Sequence, residues 1–155
     1  VQNARSYLST NNLSDLNKLF ENNTDQEVKD NLKQLNITYL SALRTQTINS
    51  EYAWSNLPIN NLSDLNKLFE NNADEEVKDN LNQLNSTYID TLYTQLRNED
   101  EIHCTIPDNM IEVLNKIFGD NPEYEDRLNE IGQIFIRIKE EEERSWNEIA
   151  MSLSL

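Results

Sequence analysis

The chain has 155 residues, a net charge of −15, and one cysteine beside its one histidine. Nucleic acids are bound through clusters of lysine and arginine, so 13 basic residues scattered among 28 acidic ones argue against nucleic acid and an anionic membrane surface as partners. His103 and Cys104 are too few for a zinc site, and a lone cysteine excludes a disulfide framework.

A block of about 36 residues occurs twice in the chain, shifted by about 49 positions. Asn11 to Gln46 reads NNLSDLNKLFENNTDQEVKDNLKQLNITYLSALRTQ, and Asn60 to Gln95 reads NNLSDLNKLFENNADEEVKDNLNQLNSTYIDTLYTQ. A third, divergent copy follows, with LNKIF at residues 114–118. Self-similarity at a fixed period is typical of stacked-repeat architectures. We therefore predict an all-α fold of three stacked helix–loop–helix repeats that form a curved, solenoid-like array.

The repeat boundaries follow from Pro58 and Pro107, which stand in register and cannot continue a preceding helix. We interpret residues 1–155 as a single helical-repeat domain and, because the chain begins with Val1, as a fragment of a larger protein. Residues 1–10 resemble the end of a preceding repeat. Residues 11–59 are assigned to repeat 1, residues 60–108 to repeat 2, and residues 109–155 to repeat 3 with a C-terminal helix.

Each repeat begins with a short amphipathic helix. Its apolar residues recur at three- and four-residue spacing, which places them on one helix face; in the second copy they are Leu62, Leu65, Leu68 and Phe69. Asn61 is predicted to cap this helix, with Asp64 reaching back.

A long helix follows the short one in each repeat. Thr24 and Glu27 are predicted to form a capping box at its start in the first copy. The apolar stripe has the same spacing in all copies, with a turn shortened by two residues before the third: Val28, Leu32, Leu35 and Tyr39; Val77, Leu81, Leu84 and Tyr88; Tyr124, Leu128, Ile131 and Phe135. Truncation of Leu35 or Leu84 to alanine is expected to cost about 2–5 kcal/mol. The stripe ends too soon for a coiled coil.

Motifs that carry catalysis are not visible in the sequence. It contains no glycine-rich phosphate loop, HExxH, GxSxG or CxxC motif. We therefore predict a non-enzymatic chain without cofactor or metal.

Lysines recur at one position of the short helix, each preceded by an asparagine, and are predicted to lie opposite the apolar face. The pairs are Asn17 and Lys18, Asn66 and Lys67, and Asn115 and Lys116. Stacked repeats would align them into a ladder that could bind an acidic partner; alternatively, they reflect only the shared ancestry of the copies. Trp54 and Trp146 are further candidates because tryptophan is enriched at interface hot spots, although Trp54 could instead fill the seam between repeats.

The asparagine-rich pattern NNLSDLNKLFENN followed by VKDNLxQLN, joined by Leu-Pro or Ile-Pro, resembles the C-terminal helical-repeat domain of rickettsial surface autotransporters that assemble actin in a formin-like manner. The resemblance implies display on the bacterial surface, exposed to the host cytosol, and a role in nucleating or elongating actin filaments. The implied partners are actin and another helical-repeat domain of the same protein. Leu43-Arg44-Thr45 resembles an element of short actin-binding motifs. The alternative is a helical-repeat scaffold or adhesin that binds an unrelated host protein.

Overall fold

The computed structural model describes residues 8–98 and 106–154. These residues form seven α-helices and one 3₁₀ helix, without strands, so the all-α prediction is confirmed. The helices are α1 (Thr10–Phe20), α2 (Gln26–Ile48), α3 (Ala53–Asn56), α4 (Ile59–Phe69), α5 (Glu75–Asn98), α6 (Met110–Phe118) and α7 (Glu125–Leu153), and the 3₁₀ helix spans Pro122–Tyr124. His103, Cys104 and most of the predicted remnant of a preceding repeat (residues 1–10) lie outside the described residues.

The main helices form three units, each with a short and a long helix: unit 1 (α1, α2), unit 2 (α4, α5) and unit 3 (α6, α7). The short helices contact one another in chain order, α1 with α4 and α4 with α6. The long helices do the same, α2 with α5 and α5 with α7, and each short helix packs on the long helix of its own unit. The apolar stripes of the short helices and of the long helices meet in one continuous hydrophobic core.

The helix starts differ from the predicted caps. The Asp25 carboxylate caps α2 by accepting the Glu27 amide at 2.9 Å, and the Asn23 side chain accepts the Asp25 amide at 2.8 Å. The predicted capping box of Thr24 is therefore wrong, because the two flanking side chains accept these amides. Asp74 and Asn72 repeat the arrangement in unit 2.

The predicted cap at Asn61 is also wrong, because α4 begins earlier. Pro58 is its N-cap residue, and Ile59, the first helical residue, is buried in the core. In unit 1 the corresponding cap is Ser9, whose hydroxyl accepts the Asn12 amide at 3.1 Å. Burial of Ile59 accounts for the earlier start, since the additional turn adds an apolar side chain to the core.

Helix α3, which the sequence did not predict, lies in the connection between units 1 and 2 and packs on α2 and α5. The Gln95 side chain fixes this connection: its oxygen accepts the Ala53 amide at 2.7 Å, and its nitrogen donates to the Ser50 carbonyl at 3.1 Å. A four-residue helix is too short to be stable alone, so contacts with the long helices determine its position.

Tyr88 links the long helix of unit 2 to the segment between units 1 and 2. Its buried hydroxyl donates to the Leu57 carbonyl at 2.9 Å, and burial raises the pKa of the phenol well above its usual value. Tyr39, its counterpart in unit 1, is also buried, but its hydroxyl has no hydrogen-bond partner among the described residues.

We expect Tyr88→Phe to lower the free energy of unfolding by about 1–2 kcal/mol, because the Leu57 carbonyl would lose its phenol donor. Tyr39→Phe removes no hydrogen bond and should change it by less than about 0.5 kcal/mol. Urea unfolding followed by circular dichroism measures both. Equal costs at the two positions would contradict this assignment.

The burial of the long-helix stripe differs between the units. Leu84 is 0% exposed, but its counterpart Leu35 is 36% exposed. The prediction that both are core residues is therefore wrong for Leu35. The reason is position: α5 packs between α2 and α7, whereas α2 has a long-helix neighbour on one side only among the described residues.

Candidate interaction surfaces

Asn17 and Asn66 pair with asparagines of the long helices, so they do not contribute exposed amide groups to the predicted ladder. The carboxamides of Asn17 and Asn36 form two reciprocal hydrogen bonds of 2.9 Å each, and both residues are buried. Asn66 and Asn85 form the same pair, with bonds of 3.0 and 2.9 Å. The spacing contained the signal: Asn17 lies one helical turn after buried Leu13, so it shares the face that packs on α2.

The third copy departs from this pairing. Asn115 is exposed, as predicted, and Gly132 occupies the position that corresponds to Asn85. Without a side-chain amide at Gly132, Asn115 has no reciprocal partner of this kind. The asparagines therefore do not form a continuous ladder on the surface.

The lysines of the predicted ladder are all exposed. Lys18, Lys67 and Lys116 lie in the last turns of α1, α4 and α6, where a positive charge is favourable at a helix C-terminus. Lys116 pairs with Glu112 at 3.2 Å. The three lysines thus occupy equivalent positions on neighbouring helices, and their role in binding a partner stays a prediction.

The two tryptophans lie in opposite environments. Trp54 is buried and stacks on Tyr52, with 4.8 Å between ring centroids, so it fills the seam between units instead of offering a binding surface. Trp146 is 70% exposed near the end of α7. Ile149 and Leu153, also exposed, follow it at helical spacing. We call Trp146, Ile149 and Leu153 the C-terminal apolar stripe.

The element Leu43-Arg44-Thr45 belongs to the contact between units 1 and 2. Leu43 is buried. The Arg44 guanidinium donates to the Thr87 hydroxyl at 3.0 Å and to the Gln83 side-chain oxygen at 3.1 Å, both on α5. Two residues of the element that resembles an actin-binding motif, Leu43 and Arg44, therefore contribute to the core and to the contact between units 1 and 2.

The sequence did not predict a groove with several arginines between α5 and α7. The Arg127 guanidinium lies 4.1 Å from the centroid of the Tyr93 ring and 3.6 Å from the Asp90 carboxylate. Beside this contact, Arg97 and Arg137 line a groove together with Tyr93 and Glu130. The arginines come from two units and lie at non-repeating positions, so no periodic signal could have brought them together.

An ion-pair cluster joins unit 1 to the start of α5. The Lys33 ammonium lies 3.2 Å from both the Asp74 and the Glu76 carboxylates. These hydrogen bonds raise the pKa of Lys33. Desolvation acts to raise the pKa of Asp74, but the Lys33 hydrogen bond and the backbone amides of Val77 and Glu76 outweigh it, so the pKa is lowered.

Because its pKa is lower in the folded state than in the unfolded chain, Asp74 stabilises the fold at neutral pH, and this contribution is lost as the pH falls below about 4. We expect Asp74→Asn, which keeps a capping oxygen, to lower the urea midpoint at pH 7 and to approach wild type near pH 2.5. The matched control is Asp25→Asn, at the same cap position but without an ion pair to the described residues, so its midpoint at pH 7 should fall less than that of Asp74→Asn. An Asp74→Asn deficit that is equal at both pH values would exclude the charge as its source.

Within residues 8–98 and 106–154, no group of three or more His, Cys, Asp or Glu side chains could hold a metal ion. None of the helices described is long and apolar enough to span a membrane. Comparison with family models, curated proteins and solved structures gives no match.

Proposed function

We propose that the three units are repeats of a curved, solenoid-like array that works as a non-enzymatic protein-interaction domain. The main support is the C-terminal apolar stripe, in which Trp146 is 70% exposed and Leu153 is 81% exposed. Exposed apolar side chains that share one helix face mark interaction sites, and tryptophan contributes strongly to such interfaces. The stripe follows an acidic stretch, Glu140–Glu143, that would orient a basic partner surface by charge.

The partner that we propose is host actin. Its support is the resemblance of the repeat pattern to the rickettsial formin-like autotransporters. By the same resemblance we propose that the chain is displayed on the bacterial surface, facing the host cytosol. In this proposal a rigid arc holds actin subunits, or pairs with another helical-repeat domain of the same protein, and promotes filament nucleation or elongation. The exposed lysines of α1, α4 and α6 offer a second contact surface, for acidic segments of a partner.

Pyrene-actin assembly, measured with the complete natural gene product and with a version that lacks residues 1–155, tests the actin proposal. We expect the deletion to slow assembly. Trp146→Ala should slow it as well, with little change in unfolding free energy, because an exposed side chain contributes less than about 0.5 kcal/mol to the fold. The charge reversal Lys18→Glu, Lys67→Glu, Lys116→Glu then tests the lysine surface in the same assay.

An assembly rate that is unchanged by the deletion would exclude the actin role. The alternative function, a scaffold or adhesin for an unrelated host protein, would then remain. It would be supported if Trp146→Ala abolished binding of that protein while actin assembly stayed unaffected.

A further inference from the structure

We infer that the outer face of unit 1 is a docking surface for one more helix–turn–helix unit of the same repeat type, an inference that rests on the proposed array. This open face is defined by five apolar residues of unit 1 that are more exposed than their counterparts in unit 2. They are Leu16, Leu19, Phe20, Val28 and Leu35. A sixth such residue, Leu32, lines the cleft toward unit 2 instead.

The repeats provide an internal control for the exposure of this face. Leu35 is 36% exposed, whereas its counterparts Leu84 and Ile131 are 0% exposed. Leu16 and Phe20 are half-buried, but their counterparts in units 2 and 3 are fully buried. The helix pair is the same in each case, so the difference arises from the preceding unit, which covers units 2 and 3.

The open face also carries the same types of polar side chain that bind Lys33 and Arg44 of unit 1 in unit 2. In unit 2, Asp74 and Glu76 form ion pairs with Lys33, and Gln83 and Thr87 accept hydrogen bonds from Arg44. The same residue types recur at all four corresponding positions of unit 1, where they are exposed: Asp25, Glu27, Gln34 and Thr38.

The two residues that accept hydrogen bonds from Arg44 change where Arg44 itself changes. In unit 2, the position of Arg44 is taken by Tyr93. In unit 3, the positions of Gln83 and Thr87 are taken by Glu130 and Ile134, and both lie with Tyr93 in one groove. The unchanged acceptor residues of unit 1 therefore match a partner unit with lysine and arginine at the positions of Lys33 and Arg44.

The opposite end of the protein is built differently. Unit 3 has charged residues where unit 2 has buried Leu92, half-buried Tyr93 and buried Leu96; these are Lys139, Glu140 and Glu143. A second copy of this chain cannot supply the required partner face, because its Lys33 and Arg44 already bind unit 2.

The test inserts a second copy of residues 10–58 between Ser9 and Thr10, which places a new Lys33 and Arg44 against the original open face. In the original chain, Leu35→Ala should shift the urea midpoint less than half as far as Leu84→Ala. In the extended chain, Leu35→Ala in the original unit should shift it as far as Leu84→Ala does. Charge reversal of the added Lys33 and Arg44 to glutamate should lower the midpoint again.

The inference is overturned if Leu35→Ala shifts both chains equally, or if the added unit brings no additional helical signal in circular dichroism. Sedimentation of the original chain forms the other arm, and a monomer is expected. A dimer that Leu35→Lys dissociates would overturn the inference by assigning the open face to a second copy. Both arms are independent of actin, so a failed actin assay leaves them interpretable. Equal midpoint shifts for Leu84→Ala and Leu35→Ala in the original chain would mean that the open face is already covered, which also overturns the inference.

Discussion

Leu84→Ala is expected to lower the free energy of unfolding by about 2–5 kcal/mol, one of the largest effects of a single truncation in this protein. Leu84 is 0% exposed on α5, the central long helix, which packs against both α2 and α7. Neighbours on both sides hinder the collapse of the cavity that the truncation leaves, and the cost of a core truncation rises with the cavity that remains.

Leu35→Ala is the matched control, with the same residue type at the same position of the repeat. Because Leu35 is 36% exposed, we expect a loss of about 1 kcal/mol or less, since the site is already open to solvent. Urea unfolding of the two variants, with circular dichroism as the signal, gives the comparison. Equal losses would mean that the outer face of unit 1 is covered, in conflict with the exposure of Leu35.

The sequence predicted the helices well because the information is local and periodic. The spacing of Leu62, Leu65 and Phe69 identifies a helix face, and Pro58 fixes the point before which the preceding helix must end. The repetition of the pattern added strength, since a chance stripe would not recur at a fixed shift. These features also led to the correct prediction that Leu84 and Tyr88 are buried.

The failures concern features that depend on a neighbouring unit or on competing polar groups. The exposure of Leu35 depends on whether another unit packs against unit 1, and the apolar pattern of α2 does not show this. Trp54 was ambiguous because its helix exists only through contacts with α2 and α5. Thr24 and Asp25 both have side chains that can cap a helix, and only the backbone geometry decides between them.

The candidate interaction surfaces were less predictable than the fold. Exposure of Lys18 and Trp146 follows from helix position and polarity, but the groove around Tyr93 joins residues that are distant in sequence. Asn17 was misplaced because a polar residue was assumed to face solvent. A buried amide is favourable only when another amide satisfies it, and a single sequence does not show that pairing.

Replacement of Asn36 by leucine should therefore be costly, at about 2–3 kcal/mol. The Asn17 side-chain oxygen would lose its donor, and its nitrogen would keep only the bond to the Leu13 carbonyl at 2.9 Å. Leucine is close to asparagine in shape, so the change tests the hydrogen bonds more than the packing. Urea unfolding again provides the measurement.

The double variant Asn17→Leu, Asn36→Leu should recover much of this loss, because replacement of both partners leaves no buried amide unsatisfied. A double-mutant cycle should give a coupling energy of at least about 1 kcal/mol. Asn115→Leu is the control in unit 3, where the asparagine is exposed and should cost less than about 0.5 kcal/mol. If Asn36→Leu proved as harmless as Asn115→Leu, the amide pair would not stabilise the contact between the short and long helices, and shared ancestry of the units would be the remaining explanation for its repetition.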